Sequence, residues 1–100
     1  DKLCERIVAA SGNAVAIEAD VLDRTAMLRA FDQTEAAFGS VTILVNNAGA
    51  AQGVRALDMS AEEWRRVLSL DLDSVFFWSQ EGARRMLAAG LTGSIVNTAS

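Results

Sequence analysis

The sequence predicts an α/β fold built on a parallel β-sheet, and three observations support this prediction. Helical and strand-like segments alternate along the 100 residues, without a linker, repeat or low-complexity stretch. The apolar fraction is 51% and the charged fraction 22%, as in ordinary globular domains. Short β-branched runs end in polar or glycine-containing turns, which is typical of buried parallel strands. Right-handed crossovers would then bring the carboxyl ends of the strands to one edge of the sheet.

The chain is predicted to begin with a helix followed by a strand. Residues 2–10 have helical periodicity, and Ser11-Gly12-Asn13 is a typical helix end. Residues 14–19, Ala-Val-Ala-Ile-Glu-Ala, then predict the first strand. This strand would end at Asp20 and Val21.

A second helix is predicted from Arg24 to Phe38. Asp23 is a suitable N-terminal cap, and Gly39 a suitable stop. Apolar side chains recur at helical spacing along this segment and are expected to face the core, namely Met27, Leu28, Phe31 and Phe38.

The next strand leads into the most informative motif of the sequence. The apolar run Val41-Thr42-Ile43-Leu44-Val45 is followed directly by Asn46-Asn47-Ala48-Gly49. Two amides can bond both neighbouring strands and a ligand, while the small residues let a flat molecule approach the backbone. In open α/β sheets, ligands bind at this carboxyl edge.

The longest helix is predicted between Ser60, which opens a capping box with Glu63, and Ala89. Asp71 interrupts an apolar stripe on this helix, so its carboxylate must be paired, hydrogen-bonded or part of a wet site. The helix is apolar on two sides, and the second side favours a subunit contact or tight packing within a larger monomer. A last strand is predicted within residues 93–98.

Composition excludes several classes of function. The net charge of −4, with no histidine and no basic cluster, argues against nucleic acid or an anionic membrane as partner. The single cysteine, Cys4, excludes an internal disulfide and fits a reducing compartment, so we expect a cytoplasmic location. Without histidine or a CxxC motif, no metal site is expected. No apolar run approaches the roughly 18 residues of a membrane span.

Four signals in this order and spacing resemble the classical short-chain dehydrogenase/reductase family. They are Asp20-Val21, Asn46-Asn47-Ala48-Gly49, the Glu63-Trp64 helix through Asp71, and Gly93-Ser94-Ile95-Val96-Asn97-Thr98-Ala99-Ser100. Each is weak alone, but together they cover essentially the whole chain. The resemblance implies a Rossmann-type doubly wound parallel sheet, of which this chain covers about strands three to five with their helices.

The resemblance also implies roles for particular residues. Asp20 and Val21 would contact the adenine of NAD or NADP, although a strand-terminal Asp also caps turns for local reasons. Asn47, Ala48 and Gly49 would line the cofactor ribose, with Asn46 bracing the sheet. Ser100 is at the position of the catalytic serine, whose hydroxyl bonds the substrate oxygen.

Asp71 departs from the family pattern, which has an asparagine holding a water of a proton relay at this position. An ionised Asp accepts hydrogen bonds but cannot donate one, whereas Asn does both. Asp71 could still hold the relay water, or the relay could be impaired or reorganised.

Two elements of the family pattern are not found in the chain. The glycine-rich phosphate loop is absent, and so is Tyr-x-x-x-Lys, since there is no tyrosine and Lys2 is the only lysine. We therefore expect residues 1–100 to be the central part of a single dinucleotide-binding catalytic domain. As a free polypeptide this segment should be neither stably folded nor active.

The leading functional prediction is hydride transfer between a nicotinamide cofactor and an alcohol or carbonyl substrate. A polyol or sugar alcohol is slightly favoured, and a 3-oxoacyl-carrier-protein is next. We also expect a homo-oligomer, a dimer or tetramer, formed through the long helix 61–89. The alternatives are a catalytically impaired dinucleotide-binding sensor or scaffold, and a different doubly wound domain such as a flavodoxin-like receiver.

Overall fold

The computed structural model describes residues 1–51 and 53–99. Their elements follow one another as helix α1 (Lys2–Ala9), helix α2 (Arg24–Phe38), strand β1 (Ile43–Asn46), a 3₁₀ turn (Ala56–Asp58), helix α3 (Ala61–Leu68), a π-helical segment (Ser69–Asp73), helix α4 (Ser74–Ala88) and strand β2 (Ser94–Asn97). This alternation confirms the predicted α/β class.

Strands β1 and β2 form a parallel pair. Their register places Ile43 opposite Ser94 and Asn46 opposite Asn97. The long helical segment connects them, which is the crossover that parallel pairing requires. The two strands predicted from the apolar runs therefore exist, each within a residue or two of its expected bounds.

The predicted strand at residues 14–19 is wrong: the structure gives these residues no β-ladder. A strand exists only through hydrogen bonds to a neighbour, and among the described residues the sheet contains β1 and β2 alone. The apolar pattern of residues 14–19 identified a segment suited to a sheet, but propensity alone does not supply a neighbouring strand.

The ends of α2 are those that the sequence predicts. The Asp23 carboxylate accepts a hydrogen bond from the backbone N–H of Ala26 at 3.1 Å, which caps the helix. Gly39 follows the last turn with φ of 85°, a conformation that favours glycine.

The long predicted helix is present but not uniform. Ser60 caps α3 by accepting from the Glu63 N–H at 3.1 Å, as the capping-box pattern predicts. The five residues Ser69–Asp73 then adopt π-helical geometry before α4 continues to Ala88. Such π segments are rare and frequently occur at functional sites. Asp71 lies at the centre of this one.

The core lies between α2 and α4. Met27 and Phe31 are almost fully buried, and the Phe31 ring lies 5.6 Å from that of Trp78, centroid to centroid. Two members of the predicted α2 stripe, Leu28 and Phe38, are exposed instead. Leu28 is one residue on from Met27 and so points about 100° away around the helix, while Phe38 lies in the last turn.

An ionic cluster joins the outer parts of α2 and α4. The Arg85 guanidinium contacts the carboxylates of Glu81 at 2.7 Å, Asp32 at 2.8 Å and Glu35 at 3.1 Å. Partial burial disfavours the charge of Arg85, but the hydrogen bonds to Glu81, Asp32 and Glu35 outweigh it and raise its pKa further above its ordinary value. Arg85 is therefore always charged.

In the described part of the chain, no helix combines the length and hydropathy needed to cross a membrane.

Candidate functional site

The candidate site lies where the two paired strands end. Strand β1 finishes at Asn46 and continues as Asn47-Ala48-Gly49, while β2 finishes at Asn97 and continues as Thr98. The pairing extends one step beyond the strands, because the Thr98 N–H donates to the Asn46 carbonyl at 3.0 Å. Both polar tips are thus held at one edge of the sheet.

An open cleft of about 550 Å³ lies at this edge. The β1 turn lines one side, the helix around Asp71 a second side and the β2 tip a third. Its lining residues are Asn47, Ala48, Gly49, Ala50, Ala51, Asp71, Leu72, Val75, Asn97, Thr98 and Ala99. The structure therefore brings together three of the predicted cofactor residues and Asp71.

Asn46 links the two strands to the helix behind them. Its amide nitrogen donates to the Asn97 side-chain oxygen at 2.9 Å and to the Ser79 hydroxyl oxygen at 3.1 Å. The bonds of Asn46 thus point into the framework of the site, which is the bracing position expected of it.

Asn47 is tied to the other strand tip. The Thr98 hydroxyl donates to the Asn47 side-chain oxygen at 3.2 Å. Both residues are exposed and line the cleft. The sequence analysis did not single out Thr98. The signal that could have identified it is its position, one residue beyond the end of the strand that pairs with β1.

Asp71 holds the turn that follows β1. Its Oδ1 accepts a hydrogen bond from the Ala50 backbone N–H at 2.9 Å. A Cβ on Gly49 would lie 2.9 Å from the same oxygen, so glycine leaves the room that this contact needs. An ionised carboxylate performs this accepting role as well as an amide oxygen does. The observed contact of Asp71 therefore connects the π segment to the turn.

Asp20 and Val21 lie beside the β1 tip. The Asp20 carboxylate accepts from the Leu22 N–H at 2.9 Å, which is a local turn contact of the kind that Asp commonly makes. The Val21 carbonyl accepts from the Trp78 indole N–H at 3.0 Å. Val21 also lines a smaller hollow of about 120 Å³ together with Asn47 and Ala48. This places the 20–21 segment next to the residues of the main cleft.

Ser100, the predicted catalytic serine, lies outside the described residues. The last described residue of that segment, Ala99, lines the cleft.

The chemistry of the cleft lining is compatible with the ribose part of a dinucleotide. Ala48 and Gly49 present little side-chain bulk to a flat ligand, and Asn47 offers an amide at the mouth. Gly49 in particular lies too close to Asp71 to carry a side chain without displacement of the carboxylate. A turn with small residues between two polar tips suits a ribose and a planar ring.

Comparison with known families decides the assignment. The sequence profile of the family described as short chain dehydrogenase matches residues 1–100. The chain belongs to the short-chain dehydrogenase/reductase family.

Individual members of this short-chain dehydrogenase/reductase family are similar at moderate identity. The NADP-dependent (R)-specific alcohol dehydrogenase of Lentilactobacillus kefiri is 45% identical over 84 residues, which are 84% of this chain and 33% of that protein. The 2-dehydro-3-deoxy-D-gluconate 5-dehydrogenase of Escherichia coli is 36% identical over 96 residues, which are 96% of this chain and 38% of that protein. The chain thus spans between a third and two-fifths of the length of these relatives.

The fold is also similar to that of solved short-chain dehydrogenase/reductase structures. The crystal structure of a short-chain type dehydrogenase/reductase from Mycobacterium marinum matches with a TM-score of 0.94 at 33% identity, over 99% of this chain and 39% of that one. The two paired strands and their helices therefore have the arrangement of a Rossmann-type short-chain dehydrogenase/reductase.

Proposed function

We propose that residues 1–100 are the central part of an NAD(P)-dependent oxidoreductase that interconverts an alcohol and a carbonyl compound. The observation that carries this proposal is the convergence of Asn47, Gly49, Asp71 and Thr98 on one cleft at the sheet edge. Membership of the family supports the same reaction class. The glycine-rich loop and the Tyr-x-x-x-Lys element would then lie in the remainder of the parent protein.

In this proposal Asn47, Ala48 and Gly49 hold the ribose of the cofactor, and Asp20 and Val21 hold the adenine. The nicotinamide, when bound, supplies or takes up the hydride. Asn46 keeps the sheet edge rigid through Asn97 and Ser79, so that the binding residues are preorganised. Sequence and cleft are compatible with either NAD or NADP.

In this proposal the hydroxyl of Ser100 forms a hydrogen bond with the substrate oxygen. Asp71 takes the relay position in the same proposal, while its Oδ1 accepts the hydrogen bond from the Ala50 N–H. Its second carboxylate oxygen would accept a hydrogen bond from the relay water. A tyrosine of the parent protein would exchange the proton with the substrate.

A polyol or a sugar-derived alcohol is the favoured substrate class, and a 3-oxoacyl thioester is second. The E. coli relative named for 2-dehydro-3-deoxy-D-gluconate supports the first class, because that compound is a sugar acid. The relative named as an (R)-specific alcohol dehydrogenase adds simple secondary alcohols to the compounds that need testing.

We also propose that the parent protein is a cytoplasmic homo-oligomer, a dimer or tetramer, that uses the long helix 61–89. One side of that helix is packed within the chain through Trp78 and Met86. The other side exposes a stripe of large apolar side chains at helical spacing, namely Trp64, Leu68 and Phe76. The area of such a stripe favours a subunit contact. Sedimentation of the parent protein tests this, and a monomer would contradict it.

The decisive experiment is turnover by the full-length parent. The protein is purified and supplied with NAD⁺, NADP⁺, NADH or NADPH and a panel of polyols, secondary alcohols and 3-ketoesters, while absorbance at the reduced-nicotinamide band is followed. We expect oxidation of a polyol or reduction of its ketone. Cofactor binding without turnover of any compound would contradict the oxidoreductase proposal.

The second candidate, a dinucleotide-binding sensor or scaffold without catalysis, is favoured by the carboxylate at position 71. A carboxylate cannot donate a hydrogen bond to the relay as an asparagine can. The parent variant Asp71→Asn separates the two candidates. A wild-type protein that binds cofactor without turnover, together with a variant that gains activity, would support the sensor.

A further inference from the structure

The pairing of the two strand tips extends from the backbone into the side chains. Beyond the register pair Asn46 and Asn97, the Thr98 N–H still bonds the Asn46 carbonyl at 3.0 Å, which fixes the backbone position of Thr98. From there its hydroxyl donates to the side-chain oxygen of Asn47 at 3.2 Å. One backbone bond and one side-chain bond thus tie Thr98 to the β1 tip at the mouth of the cleft, next to the side-chain bond between Asn46 and Asn97.

The contact determines what Asn47 can offer a ligand. A side-chain amide has one acceptor oxygen and one donor nitrogen on opposite arms. Because Thr98 engages the oxygen, the amino group is the arm that remains for a molecule in the cleft. Asn47 then presents a donor, which suits the oxygen atoms of a ribose or a carboxamide.

We propose that Thr98 is a positioning residue for cofactor binding, acting through Asn47. This inference rests on the proposed function of the cleft as a nicotinamide-cofactor site. Thr98 holds the Asn47 amide in the orientation that presents its amino group to the cofactor. Without the hydroxyl, the exposed amide rotates among several orientations, and binding must select one of them at a cost in affinity.

Three substitutions in the full-length parent test the assignment. Thr98→Val removes the hydroxyl and keeps the branched shape, Thr98→Ser keeps the hydroxyl, and Asn47→Ala removes the amide on which Thr98 acts. The dissociation constants of NADH and NADPH are measured by nicotinamide fluorescence, with kcat and the KM of the substrate measured beside them.

We expect Thr98→Val to raise the cofactor dissociation constant by about three- to tenfold, the loss that one hydrogen bond accounts for. Thr98→Ser should stay within about twofold of the wild type, since it retains the donor. In the Asn47→Ala background, Thr98→Val should produce no further loss, because residues that act as a unit are not additive.

A structural control is available in α2. The Thr34 hydroxyl donates to the Ala30 carbonyl at 2.7 Å within the helix, away from the cleft. Thr34→Val removes a comparable hydroxyl and should leave the cofactor dissociation constant unchanged.

Three results would overturn the role of Thr98 while leaving the proposed function intact. They are an unchanged dissociation constant in Thr98→Val, a Thr98→Ser variant as weak as Thr98→Val, and losses that multiply in the double variant. An equal loss in Thr34→Val would also overturn it, because general destabilisation would then explain the effect. A wild-type parent that binds neither cofactor would overturn the proposed function, and this inference with it.

Discussion

The contact between Asp71 and Ala50 offers a direct way to perturb the candidate site. Asp71→Ala in the parent protein removes the acceptor of the Ala50 N–H, which lies 2.9 Å from Oδ1. A hydrogen bond to a charged group contributes about 1.5–3 kcal/mol when it is shielded from water. Asp71 is exposed, so water partly replaces the lost acceptor, and the cost falls to roughly 0.5–1.5 kcal/mol.

This cost has two measurable consequences. For a protein of the length of its relatives, Tm should fall by about 1–6 °C. The turn that carries Asn47 and Gly49 should loosen, so kcat/KM should fall by roughly two- to tenfold. Differential scanning calorimetry and initial rates measure the two effects on the same preparations.

Two further variants make the reasoning refutable. Asp71→Asn keeps an oxygen for the Ala50 N–H and should retain most of the stability. Asp73→Ala removes the same charge two residues away in the same π segment and should leave kcat/KM near that of the wild type. If Asp71→Asn were as damaging as Asp71→Ala, or Asp73→Ala equally so, the acceptor would not be the reason that position 71 matters.

Three other predictions concern the framework of the fold. Gly93→Ala places a Cβ 2.5 Å from the Thr42 carbonyl oxygen and should lower the free energy of unfolding of the parent in urea by about 1–3 kcal/mol. Gly53→Ala places a Cβ with nothing within 4 Å and should leave stability unchanged, so equal effects of the two substitutions would refute the steric argument. Arg85→Met leaves three carboxylates without their shared cation and should lower the free energy of unfolding by about 1–3 kcal/mol. The substitution Arg29→Met, at an exposed position, should be nearly neutral, and an unchanged denaturation midpoint for Arg85→Met would contradict the prediction. The isolated segment 1–100 should melt without cooperativity in circular dichroism, and a sharp transition would show that it folds alone.

The elements whose signals are local were predictable from the sequence. The cap at Asp23, the glycine stop at Gly39 and the capping box at Ser60 depend on residues within one helical turn, and each is in its predicted place. The turn after β1 was equally recognisable, because two amides followed by two small residues at the end of an apolar run have few alternatives.

Features that depend on distant partners were not predictable in the same way. Residues 14–19 have the composition of a strand, but a ladder needs a neighbouring strand, and no local pattern supplies it. The hydrogen bond from Thr98 to Asn47 joins positions 51 residues apart. Only the register of β1 and β2 reveals it. The π geometry around Asp71 also left no mark in the sequence, since its residues continue an ordinary helical periodicity.

The π segment also has a geometric consequence for the surface of the long helix. A π turn takes up one residue more than an α turn, so the direction of every side chain before it is offset by about 100° from that of an unbroken helix. If residues 69–73 formed a regular α-helix at unchanged length, the flank of α3 would rotate around the helix axis relative to α4. The ring of Trp64 would then point in a different direction, so the π geometry sets which surface α3 presents beside α4.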